Sequence, residues 1–232
     1  MSSWFLFSGL LFTLSSAKMT LQRFLAAYRS FFFPSPVKPP FLHICQVGDP
    51  VLRSPAKIVN PEQISSPEVQ QVMIQMQQVM KRYDGVGIAA PQIGIPLRIL
   101  ALEVTPKRER ELGAEVYAAR EMSSLPLMIF INPKMEVLDF TKVVFPESCE
   151  SLRGYSALVP RYKAVRLTGL DKRGEPLELE SKGWIARIIQ HEMDHLDGRL
   201  YIDLMDPKSF QNDAWQKINT HQGRVKIQFY EK

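Results

Sequence analysis

The segment QHEMDHLDG, residues 190–198, contains the pattern H-E-x-x-H as His191, Glu192 and His195. On an α-helix, positions i and i+4 share a face about 6 Å apart at Cβ, so both imidazoles reach one ion. Glu192 is turned from His191 by roughly a quarter of the helix circumference. It stands beside the ion without ligating it, where a general base for a hydrolytic water belongs. The chain has four histidines, and two of them fall in this pattern, which favours a metal site over two imidazoles satisfied in an ordinary helix. The helix is expected over residues 182–197, capped by Ser181 and stopped by Gly198. Trp184, Ile188, His191 and His195 form one stripe, and Ile185, Ile189 and Leu196 form an adjacent one. Arg187, Gln190, Asp194 and Asp197 are left for the remaining face. So wide an apolar surface predicts a central helix covered on two sides by sheet.

The 232 residues, 45% apolar, are enough for one well-buried domain with appendages. The net charge of +5 would point to nucleic acid if it were spread over the body, but it is not. Residues 1–38 hold Lys18, Arg23, Arg29 and Lys38 and no acid, which leaves 25 basic against 24 acidic residues elsewhere. No nucleic-acid partner is expected, and the short run KRER (107–110) reads as a solvated loop. WFLFSGLLFTL (4–14) is shorter than the about 20 residues a bilayer needs, so no membrane insertion is expected. MTLQRFLAAYRSFFFPSP (19–36) bears arginine and lacks acids, a composition that favours a mitochondrial transit peptide over a secretory signal. Met19 offers an alternative start, and Pro34, Pro36, Pro39 and Pro40 mark the joint with the body. Two cysteines, Cys45 and Cys149, make no disulfide framework and suit a reducing compartment such as the mitochondrial matrix.

Along the body, Ser66-Pro67-Glu68 starts a helix carrying Val69, Val72, Met73, Met76, Val79, Met80 and Tyr83 on one face, ended by Gly85. Residues 97–104, 127–133 and 135–145 read as strands, and 163–170 with 176–181 as a hairpin about DKRGE. Residues 105–126 look like a charged surface excursion. Residues 210–220 are expected to be helical, and 224–231 to form an edge strand. The reading is an α+β domain, with antiparallel or mixed β-sheets packed around the H-E-x-x-H helix. Residues 39–206 form the catalytic domain and 207–232 a C-terminal extension.

A catalytic metal site of this kind needs a third protein ligand. The histidine of H-E-x-x-H-x-x-G-x-x-H is replaced by Tyr201, and the only glutamate after His195 is Glu231, close to the last residue. The ligand is therefore expected upstream, among His43, Cys45, Cys149 and the carboxylates. Cys149, in PESCES at the end of a strand-like run, is favoured, since thiolate and imidazole together suit Zn²⁺ or Fe²⁺. GVGIAAPQIGIP (85–96) adds approachable backbone and an amide at Gln92.

These three segments, in this order, resemble the peptide deformylase family. GVGIAAPQ (85–92) is similar to its Gly-x-Gly-x-Ala-Ala-x-Gln motif, ESCES (147–151) to Glu-Gly-Cys-x-Ser, and HEMDH (191–195) to its third motif. The resemblance runs from QVGDPVLR (46–53) to YIDLMD (201–206), including ALVPR (157–161), and with the leader it looks like that of an animal mitochondrial member. It implies that Cys149, His191 and His195 bind one divalent ion, Fe²⁺ in the cell, replaceable by Zn²⁺, Co²⁺ or Ni²⁺. It implies removal of the N-formyl group from nascent formyl-Met polypeptides, with Glu192 as base and the Gln92 amide and Glu150 backbone N–H as oxyanion donors. Gly87 would hold substrate backbone, and Ile88, Trp184 and Ile188 would line a methionine pocket. A homodimer is among the oligomeric states left open.

Two residues depart from the second motif. Ser148 stands where the family has Gly, and would be strained at positive φ. Glu150 stands where bacterial members have Leu, and its charge is expected to raise the Glu192 pKa and to slow turnover relative to a leucine version. An H-E-x-x-H peptidase, or a metal-binding protein of weak activity, are the other function classes.

Overall fold

In a computed structural model, residues 37–229 are described, and all but the last two residues of the leader read from residues 1–38 lie outside them. The framework is one six-stranded antiparallel sheet in the order β1-β2-β3-β4-β5, with β6 pairing β4. The strands are β1 (Gly87–Ala89), β2 (Ile99–Val104), β3 (Leu125–Ser148), β4 (Tyr155–Leu170), β5 (Pro176–Lys182) and β6 (Gln211–Asn212). The α+β class is thus realised with a single sheet rather than several.

The two strands expected at 127–133 and 135–145 are one 24-residue strand, β3. Asn132, at φ 53°, and Pro133 interrupt its pairing with β4, which resumes at Lys134↔Thr168. That local break gave the appearance of two elements. A straight strand of this length would reach about 80 Å, against a radius of gyration of about 16 Å for a domain this size. Register shifts at Ile131/Lys134, Val137/Asp139 and Asp139/Lys142 let it bend. Asn132 also pins the break to a neighbouring segment: Val59 N donates to its Oδ1 and its Nδ2 to Val59 O, both at 2.8 Å.

The period of two along β2 assigns its faces. Ile99 and Ala101 pack with Val72, Met73, Met76 and Val79 of helix Pro67–Arg82. Leu100, Leu102 and Val104 pack with Ile185, Ile189 and Leu196 of the H-E-x-x-H helix. Ser66 caps the first of these helices as expected, its Oγ accepting from Val69 N at 3.3 Å. That helix ends at Arg82, and Asp84 (φ 53°) takes the left-handed position expected of Gly85.

The H-E-x-x-H helix spans Gly183–Leu196, and Ser181 does not cap it. Ser181 belongs to β5 and pairs with Val165. The strand turns into the helix at Gly183, φ +60°, where a Cβ would lie 2.5 Å from Glu121 Cβ and 2.7 Å from its carbonyl oxygen. Only glycine meets both demands. The face left to polar residues is not solvated either: Arg187, Gln190 and Asp194 are each only 4% exposed. β4 covers it, and Gln190 bonds Tyr162 like a strand partner, accepting from its N–H and donating to its carbonyl at 2.9 Å each.

The excursion after β2 holds two short helices, Lys107–Leu112 and Ala114–Ala119, so the run KRER, read as a loop, is helical instead. Beyond β6 only Trp215–Thr220 is helical, not all of 210–220, because Gln211–Asn212 adds to β4 first. Of the edge strand expected at 224–231, residues 224–229 form none, and 230–231 lie outside the described residues. β5 and β6 already pair with β4, and Phe229 instead accepts a hydrogen bond from Tyr83 Oη at 3.2 Å. No helix among the described residues is long and apolar enough to cross a membrane.

Candidate metal centre and active site

β3 ends at Ser148, so the next residue, Cys149, projects from the end of a fixed strand onto the helix carrying the histidines. Its Sγ lies 3.3 Å from His195 Nε2, and ligating atoms of Cys149, His191 and His195 all fall within 4.8 Å of one another. Burial alone would raise the Cys149 thiol, but His195 and His191 outweigh it and hold it well below the ordinary thiol range. The thiolate is the form that ligates. Cys45 is buried outside this cluster, its thiol pushed up to about 12 chiefly by burial, which removes it as a competitor.

The donor set fits a divalent ion: one soft thiolate and two imidazoles. Glu192 Oε2 and His195 Nδ1 are buried with no hydrogen-bond partner among the described residues. Unmatched polar atoms at such a cluster fit a site completed by an ion and the water it brings.

Behind the ligands lies a buried ionic network that the sequence reading did not assign. Glu147 Oε2 accepts from His191 Nδ1 at 3.0 Å, which leaves Nε2 for the ion. The same carboxylate receives two bonds of 2.9 Å from Arg161 and one of 2.6 Å from Arg187 Nη1. Arg161 Nη1 also donates to Asp194 Oδ2 at 2.6 Å. Burial would raise the Glu147 carboxyl, but His191 and Arg161 outweigh it and hold it well below the usual carboxylate range. The signal was present in PESCES and ALVPR, an acid beside the thiol and an arginine inside a strand. Neither residue type announces its partner without the β3–β4 register that sets Glu147 against Ala157 and brings Arg161 alongside.

Glu192 is 4% exposed, and burial pushes its carboxyl up to about 7. Gly87 makes room for it: a Cβ there would sit 2.5 Å from Glu192 Oε1. Gly87→Ala is therefore expected to displace the carboxylate and lower kcat at least tenfold with the fold intact, as circular dichroism and a turnover assay would read. Gln92 is buried, its Oε1 fixed by Ala89 N at 2.8 Å and its Nε2 directed to Ser151 Oγ at 3.3 Å and Cys149 Sγ at 3.8 Å. A cavity of about 450 Å³ runs over these groups, bounded by Gly87, Ile88, Trp184, Ile188 and Glu150 among others. The structure thus brings Gly87, Ile88, Gln92, Cys149, Glu150, Trp184, Ile188, His191, Glu192 and His195 to one site, while the other ligand candidates His43 and Cys45 lie outside the cluster.

The polypeptide deformylase family model matches residues 41–211. The chain belongs to the peptide deformylase family. It is 50% identical over 184 residues to the mitochondrial peptide deformylase of Homo sapiens, covering 79% of this chain and 76% of that protein. It is 44% identical over 164 residues to peptide deformylase 1A, chloroplastic/mitochondrial, of Arabidopsis thaliana, covering 71% and 61%. Among solved structures, the peptide deformylase of Synechococcus elongatus in complex with actinonin superposes with a TM-score of 0.61 at 31% identity, covering 82% and 91%.

The deformylase departures read differently in three dimensions. Ser148 lies in extended β3 opposite Ser156 and is not among the positive-φ residues, so no strain attends it. Glu150 forms an ion pair with Arg153 at 3.4 Å. What raises Glu192 is chiefly burial, and the leading charges on it are those of His195, His191, Cys149 and Glu147, with Glu150 not among them. The expectation that Glu150 raises it is not met. Reverting Ser148→Gly and Glu150→Leu together is expected to leave the acid limb of the pH–rate profile in place and kcat within about twofold, since neither change frees strain or reaches the base.

Proposed function

We propose that this deformylase removes the N-formyl group from the initiator methionine of nascent mitochondrial polypeptides, releasing formate. The cluster of Cys149, His191 and His195 beside the buried, unpartnered Glu192 carries this reading. Those three residues hold one divalent ion, Fe²⁺ in the cell, with Zn²⁺, Co²⁺ or Ni²⁺ as replacements. When bound, the ion supplies Lewis acidity, polarising a carbonyl and lowering the pKa of water toward about 7.

The chain's own groups do the rest. Glu192 takes the proton of the attacking water and passes it to the departing amine nitrogen as the C–N bond breaks. The Gln92 amide and the Glu150 backbone N–H donate to the oxyanion that develops on the formyl oxygen, each worth on the order of 3 kcal/mol in the transition state. The backbone of Gly87 holds the substrate main chain. Ile88, Trp184 and Ile188 receive the methionine side chain, whose burial contributes about 1.5–3 kcal/mol.

Residues 1–38 act as the transit peptide to the matrix, 39–206 as the catalytic domain and 207–232 as an extension. The macromolecular partner is the formylated N-terminus, without nucleic acid or membrane insertion, and a homodimer is one assembly open to it. Stripping the protein with a chelator should abolish formate release, and anaerobic Fe²⁺, or Co²⁺, should restore it. Fully loaded protein that stays silent would refute the proposal.

A further inference from the structure

A second cavity of about 600 Å³ adjoins the one over the metal centre, and Ser148, Cys149, Glu150 and Asp213 border both. The far side of the second cavity is made by the end of the chain: Lys217, Lys226, Ile227 and Gln228. Three contacts seat this tail beside the Cys149–Gly154 loop. Asp213 N donates to Gly154 O at 2.9 Å. Ile227 packs at Gly154, its Cδ1 3.6 Å from where a Cβ would stand. Phe229 O accepts from Tyr83 Oη, and Tyr83 also borders the first cavity.

A polypeptide whose first residue fills the inner cavity must leave it, and the second cavity lies next to the residues around the metal centre. We infer that residues 213–229 wall the channel by which the nascent chain leaves the site, and that Lys217 and Lys226 select acidic side chains just after the formyl-methionine. The inference rests on the deformylase reading above. Charge supports the selection. Glu150 is paired with Arg153, and Asp213, which accepts from Ser156 Oγ at 2.5 Å, keeps its negative charge, so the two lysines leave the cavity wall with an excess of one positive charge. Lys217 and Lys226 have no ion-pair partner among the described residues. An acidic substrate side chain gains a counter-ion there, and a basic one meets like charge.

The test compares kcat/KM for formyl-Met-Glu-Glu and formyl-Met-Lys-Lys on the metal-loaded enzyme at low salt. Exposed pairs of this kind shift such ratios about two- to fivefold for each lysine. The acidic peptide should therefore be preferred, mainly through KM, and about 0.5 M salt should erase the difference. The Lys217→Glu/Lys226→Glu double variant should invert the ratio, while Lys172→Glu, in the β4–β5 turn, should keep it. An unchanged ratio in the double variant, or a wild-type preference for the basic peptide, overturns the channel assignment alone. Absence of formate from every peptide overturns the deformylase reading and this inference with it.

Discussion

Glu192→Gln is expected to lower formate release about 10²–10⁴-fold, the usual contribution of a positioned general base, while metal content and fold are retained. The amide keeps the volume of a side chain that Gly87 admits with no room to spare. It cannot accept the proton of the attacking water. The pH–rate profile supplies the sign. Glu192 works as a base only when ionised, so the wild-type rate falls as pH drops and the carboxylate takes up its proton. Burial places that titration about 7 in the ion-free site, and a bound dication moves it lower. The residual activity of Glu192→Gln should lack this acid limb. Metal analysis and the profile together separate the loss of a base from the loss of the ion.

Glu147→Gln should produce the largest loss of stability, about 3–5 kcal/mol by urea unfolding, because it leaves two buried guanidinium groups facing one remaining acid. Arg161 and Arg187 are each 4% exposed, and Asp194 contacts only the first. The change also weakens the acceptor that orients His191, so metal affinity should drop about 10–100-fold. The folded-state pKa of Glu147 is depressed. Its contribution is therefore present above the unfolded value of about 4.3 and is lost only as pH falls through the lower folded value. In the metal-loaded protein, where the ion keeps His191 unprotonated, the difference between wild type and variant should consequently be the same at about pH 6 and pH 8, and should shrink only in strong acid. A loss that already disappears near pH 6 would show that Glu147 is not held ionised by this network.

The parts of the site legible in the sequence were those whose meaning lies in spacing. His191, Glu192 and His195 declare a helix face by themselves, and elimination of Tyr201 and Glu231 sent the search upstream to Cys149. The helix boundaries were less legible, because the start depends on how closely the Glu121 loop approaches Gly183, which no local pattern carries. The partners of that helix's polar face were not legible for a related reason: Arg187 and Asp194 carry no sign of what covers them until β3 and β4 bring Glu147 and Arg161 against them. Tertiary pairing also decided the tail, where an alternating pattern at 224–231 met a sheet whose β4 edge was already occupied. Glu150 is the clearest case of charge read without geometry. Its carboxylate turns to Arg153, and the base is tuned by burial instead.

The most direct measurement is the product analysis of formyl-Met-Ala-Ser incubated with leader-free, Fe²⁺-loaded protein under anaerobic conditions. The account predicts formate and Met-Ala-Ser in equal amounts, with no internal fragments. Internal peptide cleavage, or no formate from fully loaded protein, would contradict it.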